Sequence, residues 1–303
     1  MADTAKGQEP ALRLGVIGIG AMGMPVALRA LDCGITISVR DIRPEAERDA
    51  AAAGASVQPS PAAVGRHSDV VVVLVVDRHQ VETVLFATDG VVAGMAPGGI
   101  VVVSSTIESD YAEALGPRLS GFGLHHIDGP VSGGPARARD GSMSMMAAGA
   151  DGPFERASPL LRTLAAKLFH VGSRSGDGAR TKMLNNLLAG VNLSAAAEAI
   201  ALGERLGVDP RALLAVIRAS SGDSWMLGDR MPRALDGDFA PRAAVDILKK
   251  DLGIVTEAAR ASDYPTPLAD AARAVFTAAS DAGLGGEDDA ALLKLYRLAA
   301  IRR

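Results

Sequence analysis

A glycine-rich turn between two short apolar runs constrains this chain more than any other feature. Leu12–Ile17 (LRLGVI) ends in Gly18-Ile19-Gly20-Ala21-Met22-Gly23. Met24–Cys33 then carries apolar residues at helical spacing, Gly34 stops it, and Ile35–Val39 (ITISV) is a second strand-like run with Asp41 just past its end. Each glycine has its own task in such a βαβ unit. Gly18 permits the tight turn, Gly20 lets backbone N–H groups approach a pyrophosphate at the helix N-terminus, and Gly23 lets helix and strand pack closely. Asp41 follows Gly18 by 23 residues, where an acid receives the ribose hydroxyls of a dinucleotide. A lone G-x-G-x-x-G is weak, but the ordered set predicts a cofactor site built from Gly18, Ile19, Gly20, Ala21, Met22, Gly23 and Asp41. The Asp41 carboxylate favours NAD, because it repels a 2′-phosphate. Arg40 and Arg43 flank it and could hold such a phosphate, so NADP stays open.

The alternation of strand and helix continues. Val70–Val76 reads as a strand buried on both faces. Ile100–Ser104 follows the Pro97-Gly98-Gly99 turn and ends in Ser104-Ser105-Thr106. Polar residues at the carboxyl end of a parallel strand are where open α/β sheets bind ligands, and Ser and Thr are equally good N-caps for the next helix; both readings stand. His125–Ile127 leads into Asp128-Gly129-Pro130-Val131-Ser132-Gly133-Gly134-Pro135, and Ser142–Ala147 and Leu168–Val171 are two further strand patterns. Ser132, Gly133 and Gly134 can grip a carboxylate through a hydroxyl and consecutive N–H groups, or can simply form a sharp turn between two prolines. Residues 12–174 are thus expected to form an α/β Rossmann-type, doubly wound parallel sheet. Residues 1–11 read as a disordered lead-in.

The character changes at Ser175–Leu206, a Gly-containing turn followed by a long helical pattern with no charged residue between Met183 and Ala197. A helix apolar nearly all round is normally buried. Lys182, Asn185 and Asn186 stand at its opening, and Lys182 and Asn186, four apart, share one face. Desolvation lowers a lysine pKa and makes it a usable acid/base; alternatively the amine snorkels to water. Asp209-Pro210 opens another helix, and Ala244–Arg260, Pro265–Ala282 and Asp288–Ile301 continue the pattern without a strand. An all-helical domain over 175–303, joined by the long helix, is the expectation.

Bulk properties narrow the function. At 303 residues two domains are expected, and 48% apolar with 22% charged residues is ordinary for a globular protein. A net charge of −4 without a basic stripe argues against nucleic acid. Val70–Val76 is far short of the ~20 residues a bilayer span needs, and the polar MADTAKGQEP start lacks a signal-peptide core, so no membrane role and a cytoplasmic location are expected. The single cysteine, Cys33, makes no intramolecular disulfide. The five histidines have no ligand spacing, and His125 and His126 point to opposite faces of a strand, so no metal is expected.

Four blocks in order, Gly18–Gly23, Asp128–Gly134, Gly178–Asn186 and Lys250–Gly253, resemble the β-hydroxyacid dehydrogenase family. The resemblance implies reversible hydride transfer between NAD(P) and a short hydroxy acid. Its catalytic lysine and asparagine match Lys182 and Asn186, and its carboxylate-binding motif matches Ser132, Gly133 and Gly134. Its cofactor contacts match Thr106 beside the nicotinamide, Val75, and Lys250 of the K-D-L motif. Gly129 stands where the family usually has alanine. Val101–Ile107, Gly121–Leu124, Ser224–Arg230 and Asp236–Phe239 are most similar to the branch acting on L-threonate, whereas Asn185-Asn186 is more similar to the branch acting on 3-hydroxyisobutyrate. L-threonate is the expected substrate. The alternatives are 3-hydroxyisobutyrate, tartronate semialdehyde, an imine, or NAD binding without catalysis. A homodimer or homotetramer is expected, because the long apolar helix needs cover.

Overall fold

The computed structural model describes residues 12–301; the lead-in expected over 1–11 lies outside them. The first strands follow the apolar runs closely: β1 Leu14–Ile17, β2 Ile37–Arg40, β4 Val70–Val73 and β5 Ile100–Val103. β3 (Ser56–Val57) and β6 (His125–Asp128) complete a parallel set in the order β3-β2-β1-β4-β5-β6. This strand order reverses direction between β1 and β4, and the glycine turn after β1 stands at that switch point. Helices α1 (Gly23–Asp32), α2 (Pro44–Ala52), α3 (Pro61–Arg66), α4 (Arg78–Phe86) and α5 (Ser109–Ser120) fill the crossovers.

Beyond β6 the mostly parallel sheet carries antiparallel pairs. β7 (Val131–Ser132) and β8 (Ser144–Ala148) pair antiparallel, β8 also meets β6 antiparallel, and β9 (Lys167–Gly172) returns parallel to β8. Helices α6 (Gly134–Asp140) and α7 (Asp151–Leu164) connect them. β7 is only two residues between Pro130 and Gly133, too short to carry an apolar pattern.

The valine runs explain the two-sided core. Side chains alternate along a strand, so Val70 and Val72 enter one apolar cluster while Val71 and Val73 enter the other. The buried strand ends at Val73, not Val76, and Val76 is half exposed. Gly15 on β1 is the close-approach point of α3: a Cβ there would lie 2.5 Å from a Val64 methyl.

The division into two compact units falls between Ala179 and Arg180. The second unit is helical: most of α8 (Asp177–Arg205), then α9 (Pro210–Arg218), α10 (Trp225–Leu235), α11 (Val245–Ala261), α12 (Pro267–Ala279) and α13 (Leu292–Ile301). Asp209 caps α9 by accepting the Arg211 N–H, with Pro210 at the first position as expected. α8 is long and apolar enough, by length and composition, to cross a membrane. Here its Leu193, Ala197 and Ile200 are buried in the helical core. Yet it is not buried all round, for Leu184, Leu188 and Leu202 are each more than half exposed. The lack of charge on that side therefore has a cause other than the core of this chain.

Candidate functional site

The residues expected at the cofactor, apart from Lys250, collect at the carboxyl end of the parallel strands. Gly18 has φ +85° and Gly23 sits where a Cβ would overlap the Gly18 carbonyl oxygen, so both are demanded by the turn itself. Gly20 is different. Its φ is ordinary, and the nearest atom to a Cβ would be the Arg43 guanidinium at 3.5 Å. Nothing in the protein's own packing requires glycine there, whereas a backbone approached closely by a ligand does. No side chain caps the first turn of α1, which leaves the helix opening clear of protein carboxylates and hydroxyls. These features fit a dinucleotide.

Asp41 is buried and accepts the Ile19 N–H at 2.8 Å and the Arg43 N–H at 2.9 Å, with the Arg43 Nε at 3.1 Å. Burial alone would raise its pKa; the bonds from Arg43 and Ile19 outweigh that and hold it below the usual carboxylate range. The two flanking arginines are not equivalent. Arg40 is engaged by Glu47 and the Asp41 carbonyl, whereas Arg43 lies on the Asp41 carboxylate and reaches the Ile19 carbonyl at 3.2 Å.

Val75 packs beside the turn, its methyl 2.9 Å from where a Gly18 Cβ would stand. Its N–H is accepted by Ser105 Oγ at 2.9 Å. Ser105 is thus engaged by the chain after β4, and the following helix begins after Glu108. Thr106 follows, partly buried. Ser132 lies on β7, and Gly133 (φ +135°) and Gly134 (φ +75°) turn the chain into α6 with Pro135 in its first turn. The backbone alone thus requires both glycines. The turn reading holds, and the space over Gly134 is open.

The second unit gathers the other set. Lys182 and Asn186 are buried one turn apart on α8, and Lys250 and Asp251 come from α11. Asn186 Nδ2 donates to Asp251 Oδ2 at 2.6 Å, Asn185 Nδ2 donates to Asn186 Oδ1 at 3.0 Å, and Lys250 Nζ lies 3.1 Å from Asp251 Oδ1. Lys182 does not snorkel. Its burial lowers the amine pKa to about 8, against the pull of Asp251 and with a small push from Lys250. Asp251 is the residue that reading the sequence missed. Its signal was its place in the K-D-L motif beside Lys250, but only the packing of α11 on α8 puts its carboxylate on Asn186.

A glycine turn at a sheet switch point, a ribose-type acid and a desolvated lysine define a nucleotide-dependent oxidoreductase of the Rossmann class. Residues 13–172 match the family described as the NAD binding domain of 6-phosphogluconate dehydrogenase, and residues 176–296 match NAD-binding of NADP-dependent 3-hydroxyisobutyrate dehydrogenase. An L-threonate dehydrogenase of Cupriavidus necator is 48% identical over 93% of this chain and 95% of its own. A 3-hydroxyisobutyrate dehydrogenase from Salmonella typhimurium has a crystal structure 40% identical with a TM-score of 0.87, over 94% of this chain and all of that one. Psf3, solved with NADP+ and 2-OPP, is 28% identical with a TM-score of 0.87, over 93% of this chain and 99% of that one. The chain belongs to the β-hydroxyacid dehydrogenase family: it is an NAD(P)-dependent dehydrogenase acting on CH–OH groups.

Proposed function

We propose that the protein oxidises L-threonate to its 2-oxo acid with NAD, in the cytoplasm, using Lys182 as the acid/base. The observation that carries this reading is Lys182 itself: a buried amine with its pKa lowered to about 8, beside the Asn186–Asp251 pair. At that pKa the neutral amine is accessible near physiological pH, as a base for a hydroxyl must be. A bound nicotinamide would supply the hydride acceptor for the oxidation and the hydride donor for the reduction. Lys182 Nζ takes the hydroxyl proton in oxidation and gives it back to the carbonyl oxygen in reduction. Asn186, its amide held by Asp251 and Asn185, orients the lysine and the substrate. Ser132 Oγ and the N–H groups of Gly133 and Gly134 hold the carboxylate, which keeps the reacting carbon in register. Gly18–Gly23, Asp41, Val75, Thr106 and Lys250 bind the cofactor, with Asp41 selecting NAD. A second substrate reading, 3-hydroxyisobutyrate or tartronate semialdehyde, rests on the Asn185–Asn186 pair and on the Salmonella relative's name. Lys182 weighs against an imine reductase or a non-catalytic NAD-binding protein.

The protein acts as a homodimer or homotetramer in this reading, with the exposed leucines of α8 covered by another subunit. The test is NAD(P)H formation by purified protein with L-threonate, D-threonate, 3-hydroxyisobutyrate and glycerate, each with NAD and NADP. Turnover confined to L-threonate and NAD is the expected result; preference for 3-hydroxyisobutyrate would move the substrate to the second reading. Lys182→Ala should lower kcat by about 10²-fold or more with cofactor affinity unchanged. Near-normal turnover in that variant would remove the lysine mechanism.

A further inference from the structure

The sequence block that contains Ser132 begins at Asp128, to which the reaction just described gives no task. Asp128 closes β6 and is 1% exposed. Its Oδ2 accepts the N–H of Gly176 at 2.9 Å and that of Ala179 at 2.8 Å, and the Gly178 N–H also bonds the carboxylate. These are N–H groups at the opening of α8, which have no partner within the helix and must find one outside it. The cap comes from a strand 48 residues upstream of Gly176, not from the helix's own lead-in. A second contact holds the same segment: His126 Nδ1, two residues earlier on β6, lies 2.8 Å from Ser175 Oγ. Gly178 makes the approach possible, since a Cβ there would stand 2.5 Å from the Asp128 carbonyl oxygen and 2.6 Å from that of Met146.

We propose that Asp128 is a positioning residue for the dehydrogenase reaction: by capping the first turn of α8 it holds the helix from which Lys182, three residues beyond Ala179, presents its amine. The proposal rests on the acid/base reading of Lys182. Titration supplies its distinguishing mark. Burial pushes the Asp128 carboxyl up to about 6, against the pull of its three N–H donors and with a small upward push from Asp177. The other groups near it are Arg174, which pairs with Asp177 at 3.3 Å, and His126, which burial pushes down to about 3 and keeps neutral. Protonation of Asp128 removes acceptor capacity from the cap. In the reductive direction Lys182 must be protonated, so kcat falls above pH about 8; the cap must be ionised, so kcat falls again below pH about 6. The wild-type profile is then a bell. Asp128→Asn is neutral at every pH, with one carbonyl acceptor like the protonated carboxyl, and cannot titrate.

The experiment compares wild type, Asp128→Asn, Asp128→Ala and Lys182→Ala by reductive kcat and KM across pH 5–9, with hydrogen exchange at the amides of 176–179. Asp128→Ala should lose about tenfold or more in kcat with KM for the 2-oxo acid nearly unchanged, and its 176–179 amides should exchange faster. Asp128→Asn should run at every pH near the lowered kcat that wild type reaches on its acid side, and so show no acid limb of its own. If Asp128→Ala does not fold, the acid limb in Asp128→Asn decides alone. An unchanged limb in Asp128→Asn, or a folded Asp128→Ala with wild-type kcat, overturns the proposal while loss of turnover in Lys182→Ala leaves the reaction standing. Normal turnover in Lys182→Ala overturns both.

Discussion

Lys182, the acid/base of the proposed reaction, opposes the stability of its own helix. Its folded-state pKa lies near 8 against 10.5 for a free lysine. The unfolded chain therefore holds the extra proton between about pH 8 and 10.5, and stability rises with pH through that window. At pH 7 the amine is protonated in both states and the fold carries the whole desolvation penalty. Lys182→Met is accordingly expected to stabilise the protein at pH 7, by up to about 3 kcal/mol, while abolishing turnover. The gain should vanish by pH 10.5, and thermal melts at the two pH values check it. The same opposition separates the glycines of the first turn: Gly18 and Gly23 serve the backbone, and Gly20 is the one that the proposed cofactor, and not the packing, calls for.

At the scale of elements, α10 is held by ion pairs as much as by apolar contacts. Ser224 caps it by accepting the Leu227 N–H at 3.1 Å. Arg230 then forks onto Asp289, Nε to Oδ1 at 2.6 Å and Nη2 to Oδ2 at 3.2 Å, while Arg233 reaches Asp288 at 3.0 Å. Asp288 and Asp289 are fully buried and also start the turn before α13. Asp288 accepts the Arg242 N–H at 2.9 Å as well, so α10 and the loop before α11 both meet the Asp288–Asp289 segment on two carboxylates. Removing one partner of a buried pair leaves an uncompensated charge. Arg230→Met should destabilise by about 3–5 kcal/mol in urea unfolding at pH 7, and Arg230→Met with Asp289→Leu should recover part of it. Burial pushes Asp289 up to about 6 even with Arg230 beside it, and without the guanidinium its carboxyl rises further, so the single variant's deficit should shrink as the pH is lowered and the lone carboxyl protonates. In the sequence this helix was hidden: Pro232 interrupts the pattern, and its charged residues read as surface.

For the whole molecule, the informative feature is what α8 leaves uncovered. Leu184, Leu188 and Leu202 recur at helical spacing on one side and are 57%, 59% and 55% exposed. An apolar stripe of this kind is a usual mark of an interaction surface. Leu184→Glu combined with Leu188→Glu should reduce the mass measured by light scattering to that of one chain, 31.0 kDa, whereas wild type gives an integer multiple of it. A monomeric wild type would remove the oligomer from the proposal.

What the sequence determined by itself is local and periodic. Valine runs specify buried strands because alternate side chains face opposite sides of a sheet, and the glycine turn specifies its own backbone because Gly18 and Gly23 have no room for a Cβ. Pro210 after Asp209 starts a helix for reasons contained in two residues. The class of cofactor and the position of Lys182 followed from such features. Only the tertiary structure decided the rest. It ended the fourth strand at Val73, turned the last part of the sheet antiparallel, and left one side of α8 exposed. It also brought Asp251 to Asn186 across 65 residues and Asp128 to Ala179 across 51. A carboxylate in a sequence shows its charge but not its partner. The partner is set by how helices and strands pack, and with it whether that charge serves the surface, the core or the reaction.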